Sequence, residues 1–287
     1  MQFVKMHGAG NDYVLVAASD LPRGVDRSRL ARDISDRRRG VGSDGLIIVE
    51  PSDRAAGRME MYNADGTRSR MCGNGVRLVA KYLVERQARP VDACDVDTDS
   101  GIRAVTLFRR EGRIVGGRAS MGAPVFERAR IPVRESTRPD PDGIARESFD
   151  LDGARHQGAC LSMGNPHVVF LVDDVAGVPV ARWGPQVESD ARFPERVNVE
   201  FAEMRGATEI VERTWERGAG ETDSCGSGAC AAAVALMRAG RAERRVRVRQ
   251  RGGVLEVEWH TDGQVYLSGP AETAFHGEWN EAEHDAV

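Results

Sequence analysis

The chain has 287 residues, 41% of them hydrophobic and 29% charged, with a formal net charge of −4. That length suits about two domains, which bury roughly three quarters of the unfolded surface. The slight acidity argues against a nucleic-acid partner, and the longest apolar run, 229–237, is far short of the roughly 20 residues that a membrane-spanning helix needs. The opening MQFVKMHGAG has no apolar signal-peptide core, so the expected compartment is the cytoplasm and the expected partner a small molecule, with no nucleic acid and no membrane. Five cysteines, an odd number without scaffold spacing, read as free thiols in a reducing compartment.

In chain order, alternation at period two predicts strands at FVKM (3–6), RMEMY (58–62), GIRAVTLF (101–108), HVVFLV (167–172), EIVERTW (209–215), RRVRVRQR (244–251), VLEVEW (254–259) and QVYLSG (264–269). Two helices stand out. Residues 76–86 place Val76, Val79, Ala80 and Leu83 on one face, while 229–238 is apolar nearly all round, hence buried, with Gly240 as its C-terminal cap. Residues 117–133 carry Gly and Pro and read as a crossover, and 134–148 as a polar loop. The arginine-rich run 241–251 alternates, so it reads as a solvated strand face and not as a strip for an anionic ligand.

The chain also repeats itself. Aligning MCGNG at Cys72 with SCGSG at Cys225 puts an aromatic residue, Tyr62 or Trp215, ten residues before each cysteine, and Asn63 opposite Glu216. Upstream, AGNDYVLV lies over MGNPHVVF, so Asn11 falls opposite Asn165, and Asp44 falls within one residue of the offset of Asn198. The same order at the same separations implies two similar halves, divided near residue 117, each donating the same kind of site.

In both copies the thiol precedes Gly-Xaa-Gly and a helix, whose unpaired first-turn N–H groups form an anion cradle and are expected to lower the thiol pKa toward neutrality. Two thiols at one carboxylate site admit a redox pair, a hydrolase or proton transfer at the carbon beside the carboxylate. A redox pair usually occupies a single Cys-Xaa-Xaa-Cys turn, and a hydrolase leaves one cysteine without a task. Racemisation or epimerisation uses both, one thiolate removing the proton and the opposite thiol returning it. Pyridoxal phosphate needs a Schiff-base lysine, yet only Lys5 and Lys81 exist and neither has phosphate-binding glycines beside it. The six histidines show no metal spacing, so no cofactor and no metal are expected. Cys94 and Cys160 lie in no motif, and Cys230 reads as helix core.

The motifs GAGNDYVLV, YNADG, MCGNGVRLVAKYL, MGNPHVVF, VNVEF, WERGAGETDSCGSGACAAA and GPAE resemble those of diaminopimelate epimerases, in order and over nearly the whole chain. The resemblance implies a cofactor-independent interconversion of LL- and meso-diaminopimelate in lysine and peptidoglycan precursor synthesis. It implies an α/β (α+β) fold of two pseudo-symmetric domains, each a mostly antiparallel sheet wrapped around a central helix, with the active site in the cleft between them. Residues 1–117, completed by 272–287, would form one half and 118–271 the other, in an enzyme expected to be a homodimer. By position, Cys72 and Cys225 match the base and acid, with His167 and Glu216 at the reacting centre. Gly73, Asn74, Gly226 and Ser227 match the donors to the carboxylate, and Asn11, Asn63, Asn165, Asn198, Glu216 and Arg217 the residues that hold the substrate. Some members carry Gln where this chain has Gly45, so any side-chain contact from there is absent. Proline or hydroxyproline racemases and phenazine-synthesis isomerases share the architecture and are the alternatives, as is a non-enzymatic amino-acid-binding protein, which would not need both thiols.

Overall fold

The computed structural model of the chain describes residues 1–69, 71–87, 91–134 and 143–280. The elements in chain order are β1 (Gln2–Gly8), β2 (Asn11–Ala17), α1 (Arg27–Ser35), β3 (Gly45–Glu50), β4 (Gly57–Asn63), β5 (Arg68–Ser69), α2 (Gly73–Arg86), β6 (Ala93–Thr98), β7 (Gly101–Arg110) and β8 (Arg113–Gly122). They continue as β9 (Ala145–Leu151), β10 (Ala154–Ser162), β11 (Pro166–Leu171), α3 (Val180–Glu188), β12 (Asn198–Met204), β13 (Glu209–Glu216), β14 (Gly220–Thr222), α4 (Gly226–Arg238), β15 (Arg245–Gln250), β16 (Gly253–Trp259), β17 (Val265–Pro270) and β18 (Glu272–Glu278). Two compact units result: Met1–Ala119 with Gly269–Val287, and Ser120–Ser268.

In the first unit the strands pair in the order β18, β1, β2, β3, β4, β6, β7, β8, parallel only at β2–β3 and β4–β6. In the second the order is β9, β10, β11, β12, β13, β15, β16, β17, parallel only at β11–β12 and β13–β15. The two orders match strand for strand, with a helix after the third strand and another after the short β5 or β14. The fold is therefore α/β, two topologically equivalent halves, each a mostly antiparallel sheet around a buried helix.

The layering follows from side-chain alternation. In the first unit Val14, Val16, Leu46 and Ile48 face α1 through Leu30, Ala31 and Ile34, while Tyr13, Leu15, Ile47 and Val49 face α2 through Val76, Val79 and Ala80. A strand covered on both faces reads as an unbroken apolar run, as LIIV in β3 does. In the second unit Val168, Phe170, Val199 and Phe201 pack with Val180 and Val187 of α3. Their neighbours of opposite parity, His167 and Glu200, thus face the α4 side. Helix α1 begins at Asp26, whose carboxylate accepts the Ser28 and Arg29 N–H groups.

Each predicted strand coincides with an observed one, with 167–172, 244–251 and 264–269 overhanging β11, β15 and β17 by one residue at one or both ends. Both central helices begin three residues earlier than their apolar periodicity suggested, at Gly73 and Gly226, because the glycines after each cysteine are themselves the first turn. Gly240 follows the α4 C-cap with φ +68°, the left-handed conformation that ends a helix. Residues 117–133 are not all crossover, since β8 runs to Gly122. Of the polar loop 134–148, residues 135–142 lie outside the described residues and 145–148 belong to β9. Alternate arginines of β15 are exposed, as a solvated face requires. Among the described residues no helix is long and apolar enough to cross a membrane.

Candidate active site

Both cysteines are helix N-caps. Cys72 has an extended backbone and its Sγ accepts the Gly75 N–H at 3.3 Å, and Cys225 does the same with Gly228 at 3.3 Å. A cap has to accept from the first turn, and here sulfur takes the place of the usual hydroxyl or carboxylate oxygen. The glycine three residues on is fixed by space. A Cβ at Gly75 would stand 3.0 Å from Ile47 Cδ1 and 3.5 Å from Cys72 Sγ, and one at Gly228 would stand 3.0 Å from Glu200 Oε1 and 3.3 Å from Cys225 Sγ.

In the first unit Asn11 opens β2 after Gly10, whose φ of +81° requires glycine. Asn11 Oδ1 accepts from Asn74 Nδ2 at 3.2 Å and lies 3.6 Å from Cys72 Sγ, while its Nδ2 donates to Asp44 at 2.8 Å. The Tyr13 hydroxyl lies 3.3 Å from the same sulfur. Arg77, fully buried, donates to Asn74 Oδ1 at 2.7 Å and to the Gly73 carbonyl at 3.1 Å, so the first turn of α2 is held from beneath. Asn63 ends β4 and its side chain donates to Thr67 within the tight turn. Gly45 has no room for a side chain, since a Cβ would meet the Tyr62 carbonyl oxygen at 2.2 Å.

In the second unit Asn165 follows Gly164, again at positive φ (+97°). Its Nδ2 donates to Ser227 Oγ at 3.3 Å, and Ser227 Oγ lies 3.5 Å from Cys225 Sγ. His167 is fully buried, with Nε2 2.9 Å from Asn165 Oδ1 and Nδ1 2.8 Å from Glu200 Oε1. Asn198 ties elements together, donating to the Pro166 carbonyl and accepting the Arg217 N–H. Glu216 is half-buried and accepts from Thr222 at 2.6 Å, and the exposed Arg217 guanidinium donates to the Glu195 carbonyl. The Gln250 side chain clamps Cys225, its Oε1 accepting the Cys225 N–H at 3.1 Å and its Nε2 donating to the Cys225 carbonyl at 3.0 Å.

At Cys225 the electrostatics correct the expectation of a thiol pKa lowered toward neutrality. Cys225 is 5% exposed, and burial, with the Glu216 and Glu200 carboxyls beside it, pushes its thiol well above the usual cysteine range. Those effects outweigh the Gly228 N–H and Ser227 hydroxyl, which favour thiolate. Burial likewise lowers His167 to about 3, which favours the neutral imidazole, and raises Glu200 and Glu212 well above the usual carboxylate range, favouring their protonated forms. Cys94, also driven by burial, is raised to about 11.

The structure thus assembles Asn11, Cys72, Gly73 and Asn74 in one unit, and Asn165, His167, Cys225, Gly226 and Ser227 in the other. Asn63 is turned into its own turn, and His167 reaches its sulfur only through Asn165 and Ser227. Sequence reasoning did not single out Tyr13, Glu200, Gln250 or Arg77. Tyr13 stands two residues after Asn11 as His167 stands two after Asn165, and Glu200 is a lone acid at an inward parity of an apolar strand.

This duplicated α/β fold, with a thiol capping each central helix and asparagine amides nearby, is that of an isomerase, an epimerase by its relatives. Solved structures share the fold: a hydroxyproline epimerase from Agrobacterium vitis (TM-score 0.67, 15% identity, covering 96% of this chain and 90% of that one) and a phenazine biosynthesis protein from Bacillus anthracis (TM-score 0.65, 17% identity, covering 98% and 99%). The diaminopimelate epimerase family model matches residues 3–127 and 159–274, and the diaminopimelate epimerase of Moorella thermoacetica is 46% identical over 280 residues, 97% of this chain and 99% of that protein. The chain belongs to the diaminopimelate epimerase family.

Proposed function

We propose that this isomerase interconverts LL- and meso-diaminopimelate by moving one proton at the α-carbon, with Cys72 and Cys225 as the two proton-transfer groups. The observation that carries the reading is the duplication itself, one sulfur cap per unit beside its own asparagine amide. One thiolate takes the α-hydrogen as a proton and becomes a thiol, and the C–H electron pair passes into the carboxylate as an enediolate. The other thiol then gives its proton to the opposite face, reforming C–H with inverted configuration and leaving a thiolate. Backbone N–H groups of Gly73, Asn74, Gly226 and Ser227, at positive helix ends, offset the charge that grows on the carboxylate. Asn11, Asn63, Asn165 and Asn198 position the substrate, and Glu216 and Arg217 hold the amino and carboxylate groups of the non-reacting end. Burial raises the Cys225 thiol, in keeping with its serving as a proton donor in the ligand-free state, and Cys72 as the base toward the L centre is part of the same proposal. A cytoplasmic setting belongs to the same reading and is supported by five cysteines that are all free.

Incubation with LL-diaminopimelate or L-proline in D₂O tests this directly. The expected result is deuterium at the inverted centre of the first meso product, largely protiated recovered substrate, and no exchange into proline. Early product that retains the original proton would remove the two-thiol mechanism, and comparable exchange into proline would remove the substrate.

A further inference from the structure

Glu200 takes no part in the chemistry just described, yet it is a fully buried acidic residue near the Cys225 sulfur. Its Oε2 has no hydrogen-bond partner among the described residues, and its Oε1 lies 2.8 Å from His167 Nδ1. The hydrogen bonds around it have one consistent direction. Asn165 Nδ2 donates to Ser227, so Asn165 Oδ1 is the acceptor facing His167, and His167 Nε2 must carry a hydrogen. A neutral imidazole with Nε2–H has a bare Nδ1, which has to accept, and among the described residues the group hydrogen-bonded to it is the Glu200 carboxyl. An ionised carboxylate would face that lone pair with no donor and leave its second oxygen dry and unpaired, which burial strongly disfavours.

We propose that Glu200 is a positioning residue: as a neutral carboxylic acid it donates its O–H to His167 Nδ1, fixes His167 as the Nε2–H tautomer, and through Asn165 and Ser227 aims a hydroxyl donor at the Cys225 sulfur. With Asn165 Nδ2 occupying the Ser227 oxygen, the Ser227 O–H is left to point at sulfur 3.5 Å away. The chain therefore supplies a donor when Cys225 becomes a thiolate, countering the neighbouring carboxyls. The other charged or titratable groups facing the pair are Glu216, Arg217 and, on β13, Glu212. Burial favours a neutral His167 and a protonated Glu200, in line with this assignment.

The inference rests on the proposed role of Cys225, but its first test does not need turnover. In the ¹⁵N-labelled full chain, the His167 ring, identified by its loss in His167→Gln, should show a protonated Nε2 and a hydrogen-bonded, unprotonated Nδ1 from pH 5 to 8. An Nδ1–H tautomer or an imidazolium at pH 7 overturns the proposal. Glu200→Gln can still donate through its amide, so it should keep the tautomer and a kcat within about threefold, whereas Glu200→Leu should switch the tautomer and lower kcat roughly tenfold with KM nearly unchanged. Equal kcat in the two variants also overturns it. A wild type inert on diaminopimelate would refute the substrate assignment while the ring spectrum still decides the relay.

Discussion

Replacing His167 by Gln should make the second unit less sensitive to acid, and the size of the effect follows from burial. An exposed histidine titrates near 6.5, and desolvation at its fully buried site takes His167 to about 3. Because the folded value is depressed, the unfolded chain binds a proton between those values that the folded chain refuses. Stability therefore falls as pH falls from 6.5 toward 3. At pH 4.5 two pH units of that window have been crossed, which at 1.36 kcal/mol per unit costs about 2.5 kcal/mol relative to pH 7. The glutamine amide cannot titrate but keeps hydrogen-bonding groups toward Asn165 and Glu200, so this loss disappears. Glu200 and Glu212 are shifted in the opposite direction, but both are present in wild type and variant, and the comparison cancels them. Urea unfolding at pH 7 and 4.5, followed by tryptophan fluorescence, reads the relevant unit, since Trp183, Trp215 and Trp259 lie in it and only Trp279 lies in the other. The variant should lose about 2.5 kcal/mol less than wild type between the two pH values. Equal losses would show that His167 is not held neutral by burial.

Cys72→Ala and Cys225→Ala should each lower epimerisation by roughly three orders of magnitude or more, as loss of an essential proton-transfer group does, while Cys94→Ala, Cys160→Ala and Cys230→Ala stay within about tenfold, measured as initial rates. Gly228→Ala should reduce kcat at least about tenfold and destabilise by about 1 kcal/mol, because overpacking against a fixed carboxyl exceeds the gain in helix propensity; Gly75→Ala, which meets the end of the Ile47 side chain, should be milder in both assays. Glu200→Gln should become more stable relative to wild type as pH rises above the ordinary carboxylate value, since a raised folded pKa means stability is lost with rising pH; urea midpoints at pH 4 and 7 that differ from wild type by the same amount refute it. Arg217→Lys keeps the charge but loses the planar fork, so KM for diaminopimelate should rise about tenfold with kcat less affected.

Much of this site was readable because each part has a local cause in the chain. The cysteine motifs, the asparagines after Gly10 and Gly164, and the strands with one solvated face all carry their reasons within a few residues. Helices α1 and α3 were not singled out, because their apolar positions, such as Leu30, Ala31 and Ile34, are sparse and gain meaning only against Val14, Val16, Leu46 and Ile48 from distant strands. The thiol state was misjudged for a similar reason. Helix-end amides are visible beside Cys225 in the sequence, whereas the burial and the Glu200 and Glu216 carboxyls that raise its pKa come from β12 and β13. The Gln250 clamp has no sequence signal at all, being set by the approach of β15.

The duplication makes the differences between its halves informative. Register aligns Tyr13 with His167 through their partners Gly45 and Asn198, and two residues further along those partner strands Ile47 aligns with Glu200. In the first unit one tyrosine hydroxyl reaches the Cys72 sulfur directly and an apolar side chain lies beneath the first turn. In the second the histidine is too short to do so from a fully buried position, and the contact passes through Asn165 and Ser227, with a carboxyl beneath the turn in place of the isoleucine. A symmetric pair of thiols would suit a racemase acting on mirror-image substrates of equal free energy. The LL and meso forms are diastereomers, one reacting centre being presented beside a fixed second centre, and the two half-reactions need not meet the same demand. Under the proposed two-thiol mechanism, a half-buried Cys72 beside the Tyr13 hydroxyl and a buried Cys225 with a raised thiol would give the two directions different surroundings on one duplicated framework.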